Sequence, residues 1–176
     1  MILMRLMIAA FQQVVRQMPQ ARLLLVGHFV PPTLEQEVRA DIARRGLGEA
    51  VTVVGRVPFE QIGDYLRQAA VGWVAWQPVP KNKKNIPTKL FEYMAYGLPI
   101  VASDLASTRP FVQNGENGYR VPPADPAAHA EAILRLLNDP ARAAGLGRRG
   151  QALVRTRWNW GEEEKKLWAL YEGLVG

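Results

Sequence analysis

The sequence predicts an α/β fold: a doubly wound, mostly parallel sheet with helices on both faces and a helical C-terminal region. Three observations predict it. Helical and extended patterns alternate along the chain. The extended stretches are short and almost continuously apolar, as in strands buried on both faces. No two of them are joined by a hairpin signal, which leaves helical crossovers and therefore parallel neighbours.

Residues 2–18 read as an amphipathic helix, strongly apolar on one side and stopped at Pro19. Leu23–Val26 is the first buried strand, ended by Gly27. Thr33–Arg45 is a polar helix closed by Gly46, and Val51–Val54 a second strand ended by Gly55. Phe59–Ala69 follows as a helix with Phe59, Ile62, Leu66 and Ala69 at core spacing and Pro58 at its entry. Val71–Ala75 is the third strand. The loop Trp76–Ile86, rich in proline and lysine, leads to a helix over Pro87–Tyr96 that Gly97 stops. Pro99–Ala102 is the fourth strand, with a short helix near Thr108–Gln113. Asn114-Gly115-Glu116-Asn117-Gly118 has turn chemistry, and Tyr119–Val121 is a fifth strand. Asp125-Pro126 and Asp139-Pro140 are cap-and-start signals for two further helices. In the first, Ala130, Ile133, Leu134 and Leu137 share a face. In the last helix Leu167, Leu170, Tyr171 and Leu174 do so, with Trp158 and Trp160 before it as packing anchors.

At 176 residues, with 48% hydrophobic and 22% charged side chains, the chain has the length and composition of one globular domain spanning residues 1–176. The absence of cysteine excludes disulfides, thiolate metal sites and a cysteine nucleophile. Two distant histidines, His28 and His129, supply neither a zinc site nor a serine–histidine relay, and His28 reads as a loop side chain. There is no Asp-x-Asp metal motif, so the reading calls for no metal and no cofactor. No apolar run reaches membrane-spanning length, and no basic-then-apolar leader opens the chain, which points to the cytoplasm. The net charge of +6 invites a nucleic-acid reading, but the excess is spread thinly. The only dense patch is Lys81, Lys83, Lys84 and Lys89, unopposed until Glu92. Without an arginine-rich helix or an aromatic stacking sheet, no nucleic-acid partner is expected.

Ligands of an open parallel sheet bind beyond the carboxyl ends of the strands. Those ends are Gly27-His28, Gly55-Arg56-Val57, Trp76–Ile86 and Ser103-Asp104. Lys84 lies just before the helix start and Lys89 in its first turn, where free amides and the helix dipole favour an anion. Glu92, four residues after Thr88 and so on the same face, can accept hydrogen bonds from two vicinal hydroxyls, as on a ribose. On these residues alone, a diphosphate-ribose site and an exposed Lys89–Glu92 pair stand equally open.

The stretch NIPTKLFEYMAYGLPIVASD resembles the nucleotide-sugar-binding signature of retaining glycosyltransferases of GT-B architecture, the "group 1" class. The likeness extends through ARLLLVG, VTVVGRVPFEQIGDYLRQAAVGWVAWQP and FVQNGENGYRVPPADPAAHAEAILRLLNDP, covering about residues 5–175 in the order of the C-terminal half of such an enzyme. It implies a Rossmann-like domain binding a nucleotide diphosphate sugar, from which the complete enzyme transfers a hexosyl group to an acceptor. By that resemblance Glu92 is the second acid of the family's Glu-x7-Glu motif and holds the donor ribose. Gly55, Arg56 and Val57 match the loop that meets the nucleobase. Asn85, Ile86 and Thr88 match positions around the diphosphate and transferred sugar, and Gly27 a glycine lining the cleft.

The chain departs from the family in three ways. The first acid of the motif is replaced by Lys84, which removes the group that touches the donor sugar. The strand and glycine loop that open the family's half-domain, with the arginine and lysine that neutralise the diphosphate, have no counterpart before residues 2–18. The acceptor-binding half is absent, so the chain alone is expected to be inactive, and the complete enzyme to be cytoplasmic or peripheral at a membrane. A missing first strand also predicts an exposed edge: residues 1–10 swapped, dimer-bound or poorly ordered, with a dimer through the N-terminal edge. The rival reading is a non-catalytic nucleotide- or protein-binding Rossmann-like module, which Lys84 and the lost loop favour.

Overall fold

The computed structural model describes the backbone of residues 2–175. Helix α1, Ile2–Gln17, precedes strand β1, Leu23–Val26; α2, Thr33–Arg44, links β1 to β2, Val51–Gly55. A 3₁₀ turn, Phe59–Gln61, leads into α3, Ile62–Gln68, and then β3, Gly72–Val74. The crossover to β4, Ile100–Ser103, holds α4, Pro80–Lys84, and α5, Lys89–Ala95. After β5, Gly118–Val121, come α6, Pro126–Leu137, α7, Pro140–Thr156, and α8, Trp160–Val175.

Every strand pairing is parallel, and none is a hairpin. The pairing is not continuous, however. The described strands form two parallel sheets, β2-β1 and β3-β4-β5, where one sheet was expected, because no strand among the described residues pairs β1 with β3.

Helices α1, α2 and α6 cover one face. Ile8, Phe11 and Val14 of α1 join Val38 and Ile42 of α2 and Ile133 of α6 in a core that also takes in Leu25 and Val51 from the first sheet and Val101, Tyr119 and Val121 from the second. Helix α1 therefore ties the two sheets together. A smaller core on the other face gathers Val74, Ile100 and Ala102 under Leu90 and Met94 of α5, with Trp158 packed against it. Helix α7 locks this second layer by close approach. A Cβ at Gly147 would overlap the Gly97 carbonyl group, and one at Gly150 would crowd Met94 Cγ at 3.2 Å.

The caps read from the sequence are present. Asp125 accepts hydrogen bonds from the Ala127 and Ala128 amides, and Asp139 from the Arg142 amide. Four expectations are corrected. Phe59 is 78% exposed, because the chain enters α3 through a 3₁₀ turn that rotates it off the core face. Thr108–Gln113 forms no regular helix: the Thr108 hydroxyl accepts from the Leu105 amide and donates to the Ser103 carbonyl, bonds that compete with helix geometry. Residues from Leu6 onward are not loosely held, since Leu6 is buried and Ile8 and Ala10 pack in the core that α6 shares; Met1 lies outside the described residues. Trp158 does anchor packing, edge-on to Phe91 and Phe111, but Trp160 is exposed. No helix among the described residues is long and apolar enough to cross a membrane.

His129, fully buried on α6, accepts a hydrogen bond from the Trp73 indole at 2.9 Å on Nδ1. Burial depresses its pKa from 6.5 to about 4, against a smaller upward pull from Asp125. The unfolded chain therefore takes up a proton near pH 6.5 that the folded chain refuses until about pH 4, so stability falls as pH drops through that window. At pH 5 the loss reaches roughly 2 kcal/mol. Urea unfolding of the parent and of His129→Gln at pH 7 and pH 5 should show the variant losing less stability over that interval. In the same assay Gly147→Ala should cost about 1–3 kcal/mol at pH 7, because α7 must move off the Gly97 carbonyl.

Candidate functional site

The residues singled out by sequence fall into two groups, both at the carboxyl ends of strands. Gly27 and Gly55 end β1 and β2 side by side, joined by a hydrogen bond from the Gly27 amide to the Gly55 carbonyl at 2.8 Å. Their φ angles of 135° and 81° are ones that side chains other than glycine rarely adopt. A Cβ at either would meet nothing within 4 Å, so both glycines border open space that a ligand can enter. Arg56 is exposed beside them and Val57 half-buried.

The second group lies on the β3–β4 crossover. The expected loop Trp76–Ile86 contains a short helical element, α4, whose last residues are Asn82, Lys83 and Lys84. Asn85 turns the chain into extended geometry before α5, and Ile86 is half exposed. Thr88 has helical dihedrals and its carbonyl accepts from the Phe91 amide, while Pro87 accepts from the Leu90 amide. The Thr88 and Lys89 amides have no acceptor among the described backbone bonds, which leaves them for an incoming anion.

Lys81, Lys83, Lys84, Lys89 and Glu92 are all exposed, and none of them takes part in an ion pair among the described residues. The expected rival, a Lys89–Glu92 pair, is not formed. Asp104 is the other acid near this loop, and it is already engaged. Arg109 bonds both of its carboxylate oxygens, at 2.9 and 3.2 Å, and Arg120 stands 3.5 Å away. The Arg109 hydrogen bond, with the two arginine charges, holds the Asp104 carboxyl below its ordinary range against a smaller opposing effect of burial. The patch thus presents unneutralised cations, with one free carboxylate a turn away.

Residues that sequence reasoning missed hold this crossover in place. The Gln77 amide nitrogen donates to the Pro123 carbonyl at 2.7 Å, and Asn82 donates to the Gln77 carbonyl at 3.0 Å. The Ser107 hydroxyl donates to the Asn82 carbonyl at 2.7 Å. Their only sequence signal is polarity inside a strand-end region, which does not reveal partners. Beneath the crossover, Tyr93 packs so tightly on Gly72 that a Cβ there would overlap its ring. Burial, aided by the Glu92 charge, pushes the Tyr93 hydroxyl up to about 12. No described hydrogen bond links the two groups of site residues. A groove of about 420 Å³, lined by Leu66, Tyr96, Leu98, Pro99, Leu136 and Ala143, lies at the opposite, amino-terminal end of β3 and β4 and does not include them. Exposed His28 is the loop side chain expected of it.

The sequence profile of the family described as glycosyl transferases group 1 matches residues 3–139. The chain belongs to this family. Among curated relatives it is 29% identical to D-inositol 3-phosphate glycosyltransferase 1 of Catenulispora acidiphila over 97% of this chain and 40% of that protein. Among solved structures it resembles the sucrose-phosphate synthase of Thermosynechococcus elongatus, with a TM-score of 0.81 and 31% identity over 96% of this chain and 42% of the other. It also shares the fold of Anabaena HepE, solved in complex with UDP-glucose, with a TM-score of 0.83 at 21% identity over 96% and 44% of the two chains. This group 1 chain thus spans under half the length of the curated relatives it matches, and its Rossmann-like layers are those of GT-B glycosyltransferases.

Because Gln77 ties α4 to the Pro122-Pro123 turn, Gln77→Ala leaves a partly buried carbonyl without its donor. It should cost about 1 kcal/mol in urea unfolding and speed limited proteolysis within residues 78–86 of this group 1 chain.

Proposed function

We propose that this chain is the donor-binding part of a GT-B glycosyltransferase and holds a nucleotide diphosphate sugar at the carboxyl ends of its strands. The observation that carries the reading is the set of unpaired lysines, free Thr88 and Lys89 amides and unpaired Glu92 around the start of α5, facing the same end of the sheet as Gly27 and Gly55. The cations and amides take the diphosphate, Glu92 the ribose hydroxyls, and the Gly55-Arg56-Val57 turn the base. The names of the relatives support it: one is a glycosyltransferase, and HepE was solved with UDP-glucose.

In the complete enzyme the donor's hexosyl group passes to an acceptor held by a part outside these 176 residues, with retention of configuration by resemblance to the family. The leaving diphosphate is stabilised by lysines and amides fixed in advance of the reaction. Without a second lobe to align the acceptor, the chain alone binds the donor and does not turn it over efficiently. A second reading, a nucleotide-binding module without transferase activity, is favoured by Lys84 in place of the family's first acid.

Calorimetry with UDP, GDP and ADP beside their nucleosides tests the site. Glu92→Gln should weaken the preferred diphosphate tenfold or more, about 1.5–3 kcal/mol. The double variant Lys84→Ala, Lys89→Ala should weaken the diphosphate far more than the nucleoside, since the removed charge meets only phosphate. Unchanged affinity in both variants would remove the site from this crossover. Tighter binding of duplex DNA than of any mononucleotide, falling steeply with salt, would replace the reading with a nucleic-acid one.

A further inference from the structure

The basic crossover carries more charge than a diphosphate uses. From Trp76 to Ser103 the chain has four lysines, Lys81, Lys83, Lys84 and Lys89, and a single acid, Glu92. All five side chains are exposed, and none is ion-paired among the described residues. The next acid along the chain, Asp104, is held by Arg109 with Arg120 close by. In the donor reading Glu92 turns to ribose hydroxyls and neutralises no lysine. A nucleotide sugar's diphosphate carries about one negative charge per phosphate, which leaves two of the four lysines unmatched.

Their place in the fold says what the unmatched pair meets. Helix α5 packs on β3 and β4, with Tyr93 on Gly72 and Leu90 and Met94 against Val74, Ile100 and Ala102. Helix α4 is held farther along the row of strand ends. The Asn82 carbonyl accepts from the Ser107 hydroxyl, beyond the end of β4, and the Asn82 amide donates to the Gln77 carbonyl. Gln77 in turn donates to the Pro123 carbonyl, beyond the end of β5. Gly27 and Gly55 end the strands of the other sheet, across the break. A donor laid along these ends, with its base at Gly55-Arg56-Val57 and its diphosphate at Thr88 and Lys89, brings its sugar to α4. Within α4, half-buried Asn82 points into the protein. Lys84, two residues on and so more than half a turn round, points away from it, and Lys81 lies beside Lys84 at i, i+3. Position 84 is also where the chain departs from the group 1 pattern, with lysine in place of an acid.

We propose that Lys84, with Lys81 beside it, selects a donor whose sugar is itself an anion: a nucleoside diphosphate hexuronate, its C6 carboxylate set against the two ammonium groups. The inference rests on the nucleotide reading of this site and adds to it the class of sugar. A lysine ammonium is a compact charge with three donors, and its bond to a carboxylate is stronger than one to a sugar hydroxyl. An acid at position 84 would repel the same carboxylate, so the change of sign alters which donor is favoured. The C6 carboxylate takes no part in bond breaking. It orients the sugar and discriminates against the neutral hexose, which differs from the hexuronate only at C6.

Calorimetry on the 176-residue chain compares each hexuronate with its hexose: UDP-glucuronate with UDP-glucose, GDP-mannuronate with GDP-mannose, and ADP-glucuronate with ADP-glucose. Base, ribose and diphosphate are common to each pair, so the ratio of the two dissociation constants reads the C6 group alone. For the preferred base the hexuronate should bind about tenfold more tightly or better. Lys84→Ala should bring the two constants together, and Lys84→Glu should reverse their order. Lys89→Ala should weaken both members of the pair and keep their ratio. A ratio of about one in the parent, with UDP, GDP or ADP bound, overturns this inference and leaves the donor reading standing. A hexuronate preference that survives both Lys84 variants overturns it too. With a donor ratio of about one, binding of glucose 6-phosphate that Lys84→Ala abolishes would give the lysines to an anionic acceptor instead. No binding of any of the three nucleoside diphosphates removes the donor reading and this inference with it.

Discussion

The close contact of α7 with the α5–β4 turn is the constraint on which the candidate site rests. Gly147 lies against the Gly97 carbonyl and Gly150 against Met94, with no room for a side chain at the first and little at the second. The contact presses α5 onto β3, where Gly72 receives the ring of Tyr93 in the same way. Helix α5 is therefore clamped between a sheet and a helix along its apolar side, while Lys89 and Glu92 on its other side stay in water. Its amino end has a fixed position before any ligand arrives, and a fixed array of donors does not have to reorganise around an anion when it binds.

The same economy governs charge. The chain has few acids around the crossover, and the one next to it, Asp104, is bound by Arg109 and Arg120. That pairing removes the carboxylate most able to neutralise the lysines of α4 and α5. Polar residues with no charge, Gln77, Asn82 and Ser107, hold α4 down, so the anchoring of the loop costs none of its positive potential. The result is an exposed cationic patch on a rigid support.

The split sheet sets a second condition on this architecture. Its two halves are joined through helix α1 and the core beneath it, with no backbone hydrogen bonds across the break. Packing of that kind is less directional than a strand ladder. The two groups of site residues sit on opposite sides of the break, Gly27 and Gly55 with the first sheet and the α4–α5 crossover with the second. Whatever fixes the distance between the sheets also fixes the distance between these two groups.

The sequence by itself determined the strands, their parallel pairing and most of the helices, because these rest on local signals. Leu23–Val26 and Val51–Val54 are apolar enough to demand burial on both faces, and Asp125-Pro126 and Asp139-Pro140 start helices through contacts with the next few residues. The stretch around Thr88 to Glu92 was legible for the same reason, since a helix start and residues four apart are local geometry. Local signals failed where a distant partner decides. The short α4 escaped detection because five residues are too few to show a period. Thr108 turned from helix to turn because its hydroxyl reached Ser103 and Leu105, and Phe59 left the core because the entry to α3 rotated it outward. The bonds of Gln77 to Pro123 and of Asp104 to Arg109, the glycine clamp on α5 and the gap between β1 and β3 exist only in the folded chain. Each is a meeting of residues well separated in the sequence or a vacancy between whole elements. No pattern along the chain encodes it until the layers have packed.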